Sequence, residues 1–273
     1  MGRKGSFKVK KIHRYRKLMP YLMATRNESV VYYDTYVNAE KLVKFLDEAK
    51  EKSQRITLTH LLIKACAMGF YKNPTMNQYI SGHHIYQREK AIISFSIKKE
   101  KVSKSPIKVV KITVEEDETL QELAEKIDKR LKVERSNKKT YTDKEIDLVS
   151  LLPRCILKPI LWLVRKFDYY NLLPSSFTEK DPLFASLFIA NLGSIGMDAA
   201  YHHLYEYGTI SIFATAGKIK DIPVVENDQI VVRKVLHLRW SYDERIDDGL
   251  SSSKGIATAV EILENPYKYF GAA

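Results

Sequence analysis

Cysteine is scarce in this sequence, which bears on the compartment in which the protein folds. Cys66 and Cys155 are the two cysteines among 273 residues, and both have apolar neighbours along the chain. We therefore expect two buried thiols in a reducing cytoplasm rather than a disulfide bond. The N-terminus is basic, but no apolar run follows it, so the sequence predicts no signal peptide.

Long apolar runs, internal repeats and low-complexity linkers are also missing. The most apolar segment, 146–167, is interrupted by Pro153, Arg154, Lys158 and Pro159. Charges and prolines at the centre of such a segment argue against a membrane-spanning helix. No repeat and no Gly/Ser-rich linker divides the chain, so we expect one large domain.

The patterns that indicate metal or nucleic-acid binding are missing as well. His83 and His84 are adjacent, but no cysteine is nearby and no further ligand stands at metal-binding spacing. We therefore predict no metal site. His60 lies in an apolar helical segment and is predicted to be a packed or capping residue. The basic residues do not form an aromatic-lined groove, so we expect no RNA or DNA partner.

Positive charge is abundant. The chain has 45 Lys and Arg against 33 Asp and Glu, a net charge of +12, and 45% of its residues are hydrophobic. The apolar content is sufficient for a sizeable core. The positive charge predicts an anionic partner, either a membrane surface or a phosphorylated small molecule.

Apolar periodicity predicts strands and helices along most of the chain. We expect a solvated basic arm over 1–11 and a single domain over 12–273. Predicted strands cover 29–37, 84–87, 91–97, 107–114, 210–216 and 230–240, and predicted helices cover 57–71, 115–135 and 252–263, with a further helix starting at 38. The helix at 57–71 has the broadest apolar face and is predicted to be the central buried helix.

An acidic turn joins the last predicted strand to the last helix. Four acidic side chains fall within six residues around Arg245, and Gly249 ends the run. A second segment, 184–196, predicts a strand that ends in Ala-Asn-Leu-Gly before a further glycine. The residues alone allow the acidic turn to be an ordinary solvated loop.

Together the two segments resemble the catalytic domain of the 2-oxo acid dehydrogenase acyltransferases. The turn is similar to that family's Ser-x-Asp-x-Arg-Ile-x-Asp-Gly signature, and 184–196 resembles its strand ending in Ser-Asn-Leu-Gly. The resemblance implies a chloramphenicol acetyltransferase-like α/β fold, a two-layer sandwich with a mixed β-sheet faced by helices. It also implies a homotrimer with active sites between subunits. The implied reaction moves an acyl group from a coenzyme A thioester, with no covalently bound cofactor, to a thiol or hydroxyl.

The chain departs from the family at both positions that carry the chemistry. Where the family has a general-base histidine, this chain has Glu244, and where the family has a Ser or Thr that donates to the oxyanion, it has Ala190. The resemblance leaves Asn191 as a candidate oxyanion donor, with Ser194 nearby. Asp248 and Gly249 keep the family's pattern. The resemblance implies that Asp248 has a structural role, with Arg16 as its candidate partner.

Two hypotheses account for the missing histidine. A glutamate of ordinary pKa is a poor base toward a thiol. In the first hypothesis, Glu244 of one subunit orients His203 or His202 of the next, as a carboxylate orients the base of a catalytic triad. In the alternative, the protein is an inactive trimeric scaffold or an acyl-ligand-binding protein.

The segment 140–183 is predicted to be a helical insertion relative to the family. Its apolar residues are interleaved with Arg154, Lys158, Arg165 and Lys166. This pattern is typical of an amphipathic helix that lies in a membrane interface or lines a lipid-binding mouth. Such a helix can equally pack on the protein's own surface. We expect a cytoplasmic protein, and the membrane alternative places it at the inner face of the membrane.

Overall fold

The computed structural model describes residues 3–98, 107–135 and 151–272, in which strands and helices alternate. The strands are β1 (Ser6–Lys8), β2 (Val30–Asn38), β3 (Gln78–Ser81), β4 (His84–Arg88), β5 (Ala91–Lys98), β6 (Ile107–Val114), β7 (Leu187–Asn191), β8 (Ile212–Ala216), β9 (Lys220–Glu226) and β10 (Gln229–Asp243). The helices are α1 (Arg14–Leu22), α2 (Glu40–Glu51), α3 (Leu58–Lys72), α4 (Leu120–Arg135), α5 (Arg154–Tyr169), α6 (Ser175–Thr178), α7 (Gly249–Glu264) and α8 (Pro266–Phe270).

The main sheet has seven strands, six of them in the order β2-β10-β8-β7-β5-β6, and β9 pairs with the first part of β10. β7 runs parallel to both β5 and β8, whereas the other neighbours in this sheet are antiparallel. The sheet is therefore mixed, as predicted. A smaller antiparallel sheet has the order β1-β4-β3.

The strand β10 separates the apolar core from a polar face of the sheet. Leu236, Leu238 and Trp240 are buried in the main core, together with the apolar residues of α3 and α7. Successive side chains of a strand point to opposite faces. His237 and Arg239 therefore lie on the face away from these helices.

The helix α3 packs closely against α7 at a pair of glycines. A Cβ atom on Gly69 would lie 3.0 Å from the carbonyl oxygen of Gly255, so this approach requires a residue without a side chain. Ten of the fifteen residues of α3 are buried, His60 among them. The predictions of a central buried helix and of a packed His60 are confirmed.

Two expectations about the surface were wrong. The basic arm is not wholly solvated, because β1 pairs with β4 and Arg3 forms an ion pair with Asp168 at the end of α5. Cys66 is buried, and burial raises the pKa of its thiol to about 12. Cys155 is exposed, because it lies on a helix that the rest of the protein does not cover.

That helix is α5, at the centre of the predicted insertion. None of its residues is buried, although most of them are apolar. Residues 136–150, where the insertion begins, lie outside the described residues. Across 3–98, 107–135 and 151–272, none of the helices combines the length and the hydropathy that a membrane crossing requires.

Candidate active site

The acidic turn is held by a buried ion pair. The carboxylate of Asp243 is fully buried and accepts hydrogen bonds from Arg245 Nε and Nη2, at 2.9 and 2.8 Å, and from Ser29 Oγ at 2.8 Å. Arg245 also donates to the carbonyl of Met23 at 3.0 Å. The turn is therefore a rigid part of the fold and not the solvated loop that its composition alone would allow.

Arg16 contacts the turn, but at a different carboxylate from the one predicted. Its guanidinium lies 3.3 Å from Asp247 and also donates to the carbonyl of Arg245. Asp248 is exposed and caps α7, accepting a 2.8 Å hydrogen bond from the backbone N–H of Ser251. This bond lowers the pKa of Asp248. The predicted Arg16–Asp248 pair is absent because the first turn of α7, which begins at Gly249, already uses the Asp248 carboxylate.

Glu244 lies between the buried acids Asp243 and Asp247 and is itself exposed. Its backbone N–H donates to the carbonyl of Ser29 at 3.0 Å, which fixes the main chain at this position. In the part of the chain that the structure describes, its carboxylate has no hydrogen-bond or ion-pair partner. Glu244 is thus positioned by its backbone, with a side chain that is open to a ligand or a neighbouring subunit.

At the end of β7, Ala190 and Asn191 face opposite sides of the sheet. Ala190 is buried in a second apolar cluster with Phe188 and Phe213. The Nδ2 atom of Asn191 donates to Thr59 Oγ1 at 3.1 Å, and its Oδ1 atom accepts from the N–H of Ser194 at 3.1 Å. The hydroxyl of Ser194 donates back to the carbonyl of Asn191 at 2.7 Å. In this conformation the Asn191 amide is directed toward α3 and away from Ala190.

The two predicted histidines stack beside β10 of the same chain. The His202 ring stacks on Phe213 at 3.9 Å, and His203 stacks on His202 at 4.6 Å. His202 Nδ1 donates to the carbonyl of His203 at 2.7 Å, and the hydroxyl of Ser241 donates to the carbonyl of His202. Burial lowers the pKa of His202. Within residues 3–98, 107–135 and 151–272, no hydrogen bond or ion pair joins Glu244 to either histidine, so their pairing across subunits stays a prediction.

A polar cluster that the sequence analysis did not find lies on the same face of the sheet. The carboxylate of Asp34 accepts hydrogen bonds from Tyr201 OH at 2.6 Å, from His237 Nε2 at 2.8 Å and from Arg239 Nε at 3.0 Å. The Arg239 guanidinium also covers the Tyr201 ring, and Tyr36 stacks on His237. The alternation of polar residues at 237 and 239 within a strand was the available signal.

The register of the sheet connects this cluster with Ala190. Ala190 pairs with Thr215, Thr215 with Arg239, and Arg239 with Asp34. Directly paired residues of adjacent strands point to the same face. The position where the family has its oxyanion donor and the polar cluster therefore lie in one row across the sheet.

A cleft of about 330 Å³ opens at Arg239 in this row. It is lined by Tyr36, His237 and Arg239 from β2 and β10, by Lys218 from the turn after β8, by Lys220 at the start of β9, and by Asp198. Lys220 is paired with Asp198 at 2.7 Å, whereas the exposed Lys218 amine has neither a hydrogen bond nor a salt bridge among the described residues. The same described residues contain no group of three or more His, Cys, Asp or Glu side chains arranged to hold a metal ion.

Comparisons with known sequences match short segments of curated proteins. The dihydrolipoyllysine-residue succinyltransferase component of the 2-oxoglutarate dehydrogenase complex of Cupriavidus necator is 47% identical over 47 residues, which is 17% of this chain and 11% of that protein. The corresponding protein of Haemophilus influenzae is 42% identical over 48 residues, 18% of this chain and 12% of that protein. The match thus spans about a tenth of the length of these relatives.

Solved structures with the same fold cover nearly the whole chain. A dihydrolipoamide acetyltransferase of Azotobacter vinelandii has a TM-score of 0.60 and 17% identity, covering 96% of this chain and 93% of that one. A catalytic core of the 2-oxoacid dehydrogenase complex from Thermoplasma acidophilum has a TM-score of 0.61, 16% identity and coverage of 95% and 99%. A chloramphenicol acetyltransferase has a TM-score of 0.54, 10% identity and coverage of 94% and 99%. The predicted fold is confirmed.

A family match covers far more of the sequence than the short segments matched in the curated proteins do. The family described as 2-oxoacid dehydrogenases acyltransferase (catalytic domain) matches residues 4–146 and 175–271. The unmatched interval, 147–174, contains α5 and agrees with the predicted insertion. The resemblance inferred from the acidic turn and from 184–196 is confirmed. Since the match covers most of the chain, the protein belongs to the 2-oxoacid dehydrogenase acyltransferase (catalytic domain) family.

Proposed function

We propose that this protein transfers an acyl group from a coenzyme A thioester to a thiol or hydroxyl acceptor. The family supports the reaction class, and the cleft at the Arg239 end of the row supports the donor. Its exposed Lys218 and its neighbours Lys220 and Arg239 offer positive charge to phosphates, and Tyr36 offers an exposed aromatic ring. The relatives are named for acetyl and succinyl groups, so these are the acyl groups to test first.

The observation that carries this proposal is the exposed Lys218 amine in the cleft, which forms no salt bridge among the described residues. We expect acetyl coenzyme A to bind the purified protein in a calorimetric titration. Reversing this charge with Lys218→Glu should weaken binding at least about tenfold, because hydrogen bonds to charged groups contribute about 1.5–3 kcal/mol. The exposed Lys129 on α4 provides the matched control, and Lys129→Glu should bind as the unaltered protein does.

The reaction itself is tested by mass spectrometry of acyl products. Acetyl and succinyl coenzyme A are each offered with dihydrolipoamide and with a small alcohol. Formation of an acylated acceptor supports the proposal. Binding without any product would favour the alternative of an acyl-ligand-binding protein, and absence of both would favour the scaffold.

Assembly into a homotrimer is part of the same proposal. The open sheet face exposes Tyr32, Tyr36 and Tyr201, which is a surface suited to a neighbouring subunit. A relative of this fold forms the cubic core of a multienzyme complex. In such a trimer Glu244 would face His203 or His202 of the next subunit. Light scattering should give three times the chain mass, and a monomer under dilute native conditions would count against a shared site.

A second function is favoured by α5, for which we propose binding to an anionic membrane surface. One exposed stripe of the helix is apolar and consists of Ile156, Ile160, Leu163 and Phe167. A second exposed stripe is basic and consists of Arg154, Lys158 and Arg165.

The helix meets the body of the protein along a third side, at the half-buried Leu157, Val164 and Asp168. Its C-terminal end is anchored by Asp168 to Arg3 and by the Asp168 carbonyl to Ser81 Oγ at 3.1 Å. Apolar residues flanked by cations suit the interface of an anionic bilayer.

Vesicle sedimentation tests this second function. The protein should sediment with vesicles that contain phosphatidylserine and less with pure phosphatidylcholine, and added salt should weaken sedimentation. The double substitution of Leu163 and Phe167 by Asp should abolish it, whereas Val225→Asp on the exposed β9 should not. Equal sedimentation of both variants would remove the proposal, and loss of the trimer in the double variant would instead assign α5 to a subunit contact.

A further inference from the structure

The Asp34–His237 pair is the feature of the sheet face that the family's chemistry does not explain. His237 Nε2 lies 2.8 Å from Asp34 Oδ1, and both side chains are partly exposed. Burial raises the pKa of Asp34, but its three hydrogen-bond donors together hold that pKa below its ordinary value. Asp34 is therefore a carboxylate at neutral pH, held in place by Tyr201 and Arg239.

This carboxylate fixes the tautomer of His237. A carboxylate accepts hydrogen bonds and cannot donate them, so Nε2 of His237 must carry the hydrogen. The neutral imidazole then has its lone pair on Nδ1, the nitrogen that can accept a proton. Tyr36 stacks on the ring at a centroid distance of 4.5 Å and limits its rotation. The ring is thus held in one orientation by its hydrogen bond to Asp34 and by its stacking on Tyr36.

The location of His237 places its side chain at the proposed acyl-donor site. His237 and Arg239 both line the cleft, and Arg239 stands in the row that contains Thr215 and Ala190. Adjacent strands are about 4.8 Å apart, so Ala190 and Arg239 are separated by about 10 Å across the sheet. His237 is two residues from Arg239 on the same face of β10, so a thioester bound in the cleft that both residues line is within reach of its imidazole.

The other histidines near the row lack this arrangement. His202 donates its Nδ1 hydrogen to the carbonyl of His203 and stacks on Phe213. His203 is exposed, and among the described residues it has no carboxylate at ion-pair distance. Of the histidines described on this face of the sheet, His237 is therefore the one whose ring is hydrogen-bonded to a carboxylate of the same chain.

We propose that His237, oriented by Asp34, is the general base of this protein and takes over the role of the histidine that Glu244 replaces. This inference rests on the proposed acyl transfer. Nδ1 accepts the proton from the thiol or hydroxyl of the acceptor while its sulfur or oxygen bonds to the thioester carbonyl carbon. The tetrahedral intermediate then breaks its bond to the coenzyme A sulfur. That sulfur leaves as a thiolate and takes the proton from the imidazolium, so the base is regenerated without any redox change.

Steady-state kinetics with acetyl coenzyme A separate a base from a structural residue. His237→Gln should lower kcat about 100- to 10,000-fold while KM for the donor changes little, because general-base catalysis contributes rate and not affinity. Asp34→Asn, which alters the positioning residue, should lower kcat less. It should also change the ¹⁵N shifts of His237, because the amide can donate to Nε2 as well as accept from it. His84→Gln, at an exposed hairpin histidine, is the matched control and should keep the full rate.

Chemical modification of the unaltered protein provides a test that needs no variant to fold. Diethyl pyrocarbonate should inactivate the enzyme in step with modification of His237, mapped by mass spectrometry, and coenzyme A should protect His237 but not His84. Full activity of folded His237→Gln would overturn the inference while leaving acyl transfer standing, and a selective loss in His203→Gln would assign the base to the subunit-bridging pair instead. An unaltered protein with no turnover would remove the proposed function and this inference together.

Discussion

The helices α3 and α5 are nearly equal in length, 15 and 16 residues, and both are rich in apolar side chains, yet ten residues of α3 are buried and none of α5. The difference lies in what surrounds the apolar residues. α3 has the sheet on one side and α7 on another, and its buried Lys64 donates to the carbonyl of Glu118. In α5 four cations divide the apolar surface, and one narrow edge touches the body. Apolar content therefore predicts that a helix has an apolar face, but not what covers that face.

The largest effect should come from a charge that the body of the protein buries. Asp243→Ala should reduce the free energy of unfolding by about 3–5 kcal/mol, because Arg245 is left buried without its partner. Lys158→Ala on α5 removes an exposed charge and should cost less than about 0.5 kcal/mol. Urea unfolding measures both free energies of unfolding. Similar losses in the two variants would show that burial of the charge does not determine its contribution to stability.

A matched pair of leucines tests the apolar side of the comparison. Leu61 on α3 is fully buried, whereas Leu163 on α5 is 45% exposed. Leu61→Ala should cost about 2–5 kcal/mol through lost burial and the cavity left behind. Leu163→Ala should cost less than about 0.5 kcal/mol. A large loss at Leu163 would mean that α5 is covered in solution, for instance by another subunit.

The pH dependence of stability should also differ between a lysine in the body of the protein and a lysine on α5. Lys111 on β6 donates to the carbonyls of Thr178 and Asp181, and burial lowers its pKa from 10.5 to about 7. Between these two values the unfolded chain binds a proton that the folded protein has released, so stability should rise with pH. Lys111→Met should flatten this slope, whereas Lys158→Met should leave it intact. An unchanged slope in Lys111→Met would show that other groups cause it.

The smallest effect should come from the helix starts. α7 begins with the Asp248 side-chain cap, whereas α5 begins after Pro153 without a side-chain cap. Asp248→Ala should cost about 1 kcal/mol, and Asp248→Asn should cost less, because asparagine also caps a helix. This replaces the expectation that Asp248 is held by a pair with Arg16. Thermal unfolding of both variants measures the difference, and a loss of 3 kcal/mol or more would restore the earlier expectation.

Most of the fold followed from local patterns. The alternation in β10 and the broad apolar face of α3 are properties of short segments, so the sequence predicted both elements within a few residues. The three-residue β1 was missed because the cations around it are typical of a solvated arm, and pairing with β4 decides its structure. Cys155 was predicted to be buried because its neighbours along the chain are apolar, but no other part of the described protein packs over this position.

The candidate site was predictable where it rests on contiguous residues. The turn around Glu244 and the end of β7 at Ala190 were both located from short sequence patterns. The Asp34 cluster was not, because Asp34 and His237 are about 200 residues apart and meet only through the pairing of β2 with β10, and Tyr201 reaches Asp34 from a third segment. The register between two strands depends on the whole sheet, so it cannot be predicted from the periodicity of one segment.

The pairing of β2 with β10 has a consequence for protein synthesis. Val30 pairs with Asp243 and Asn38 with Val235, so the two strands are about 200 residues apart along the chain. At about 5–20 residues per second, a ribosome needs roughly 10–40 s to deliver β10 after β2 has emerged. During that interval the Val-Val-Tyr-Tyr segment of β2 is an unpaired strand edge in a crowded solution, open to association with other chains. Efficient production in cells should therefore depend on chaperones that bind the first third of the nascent chain.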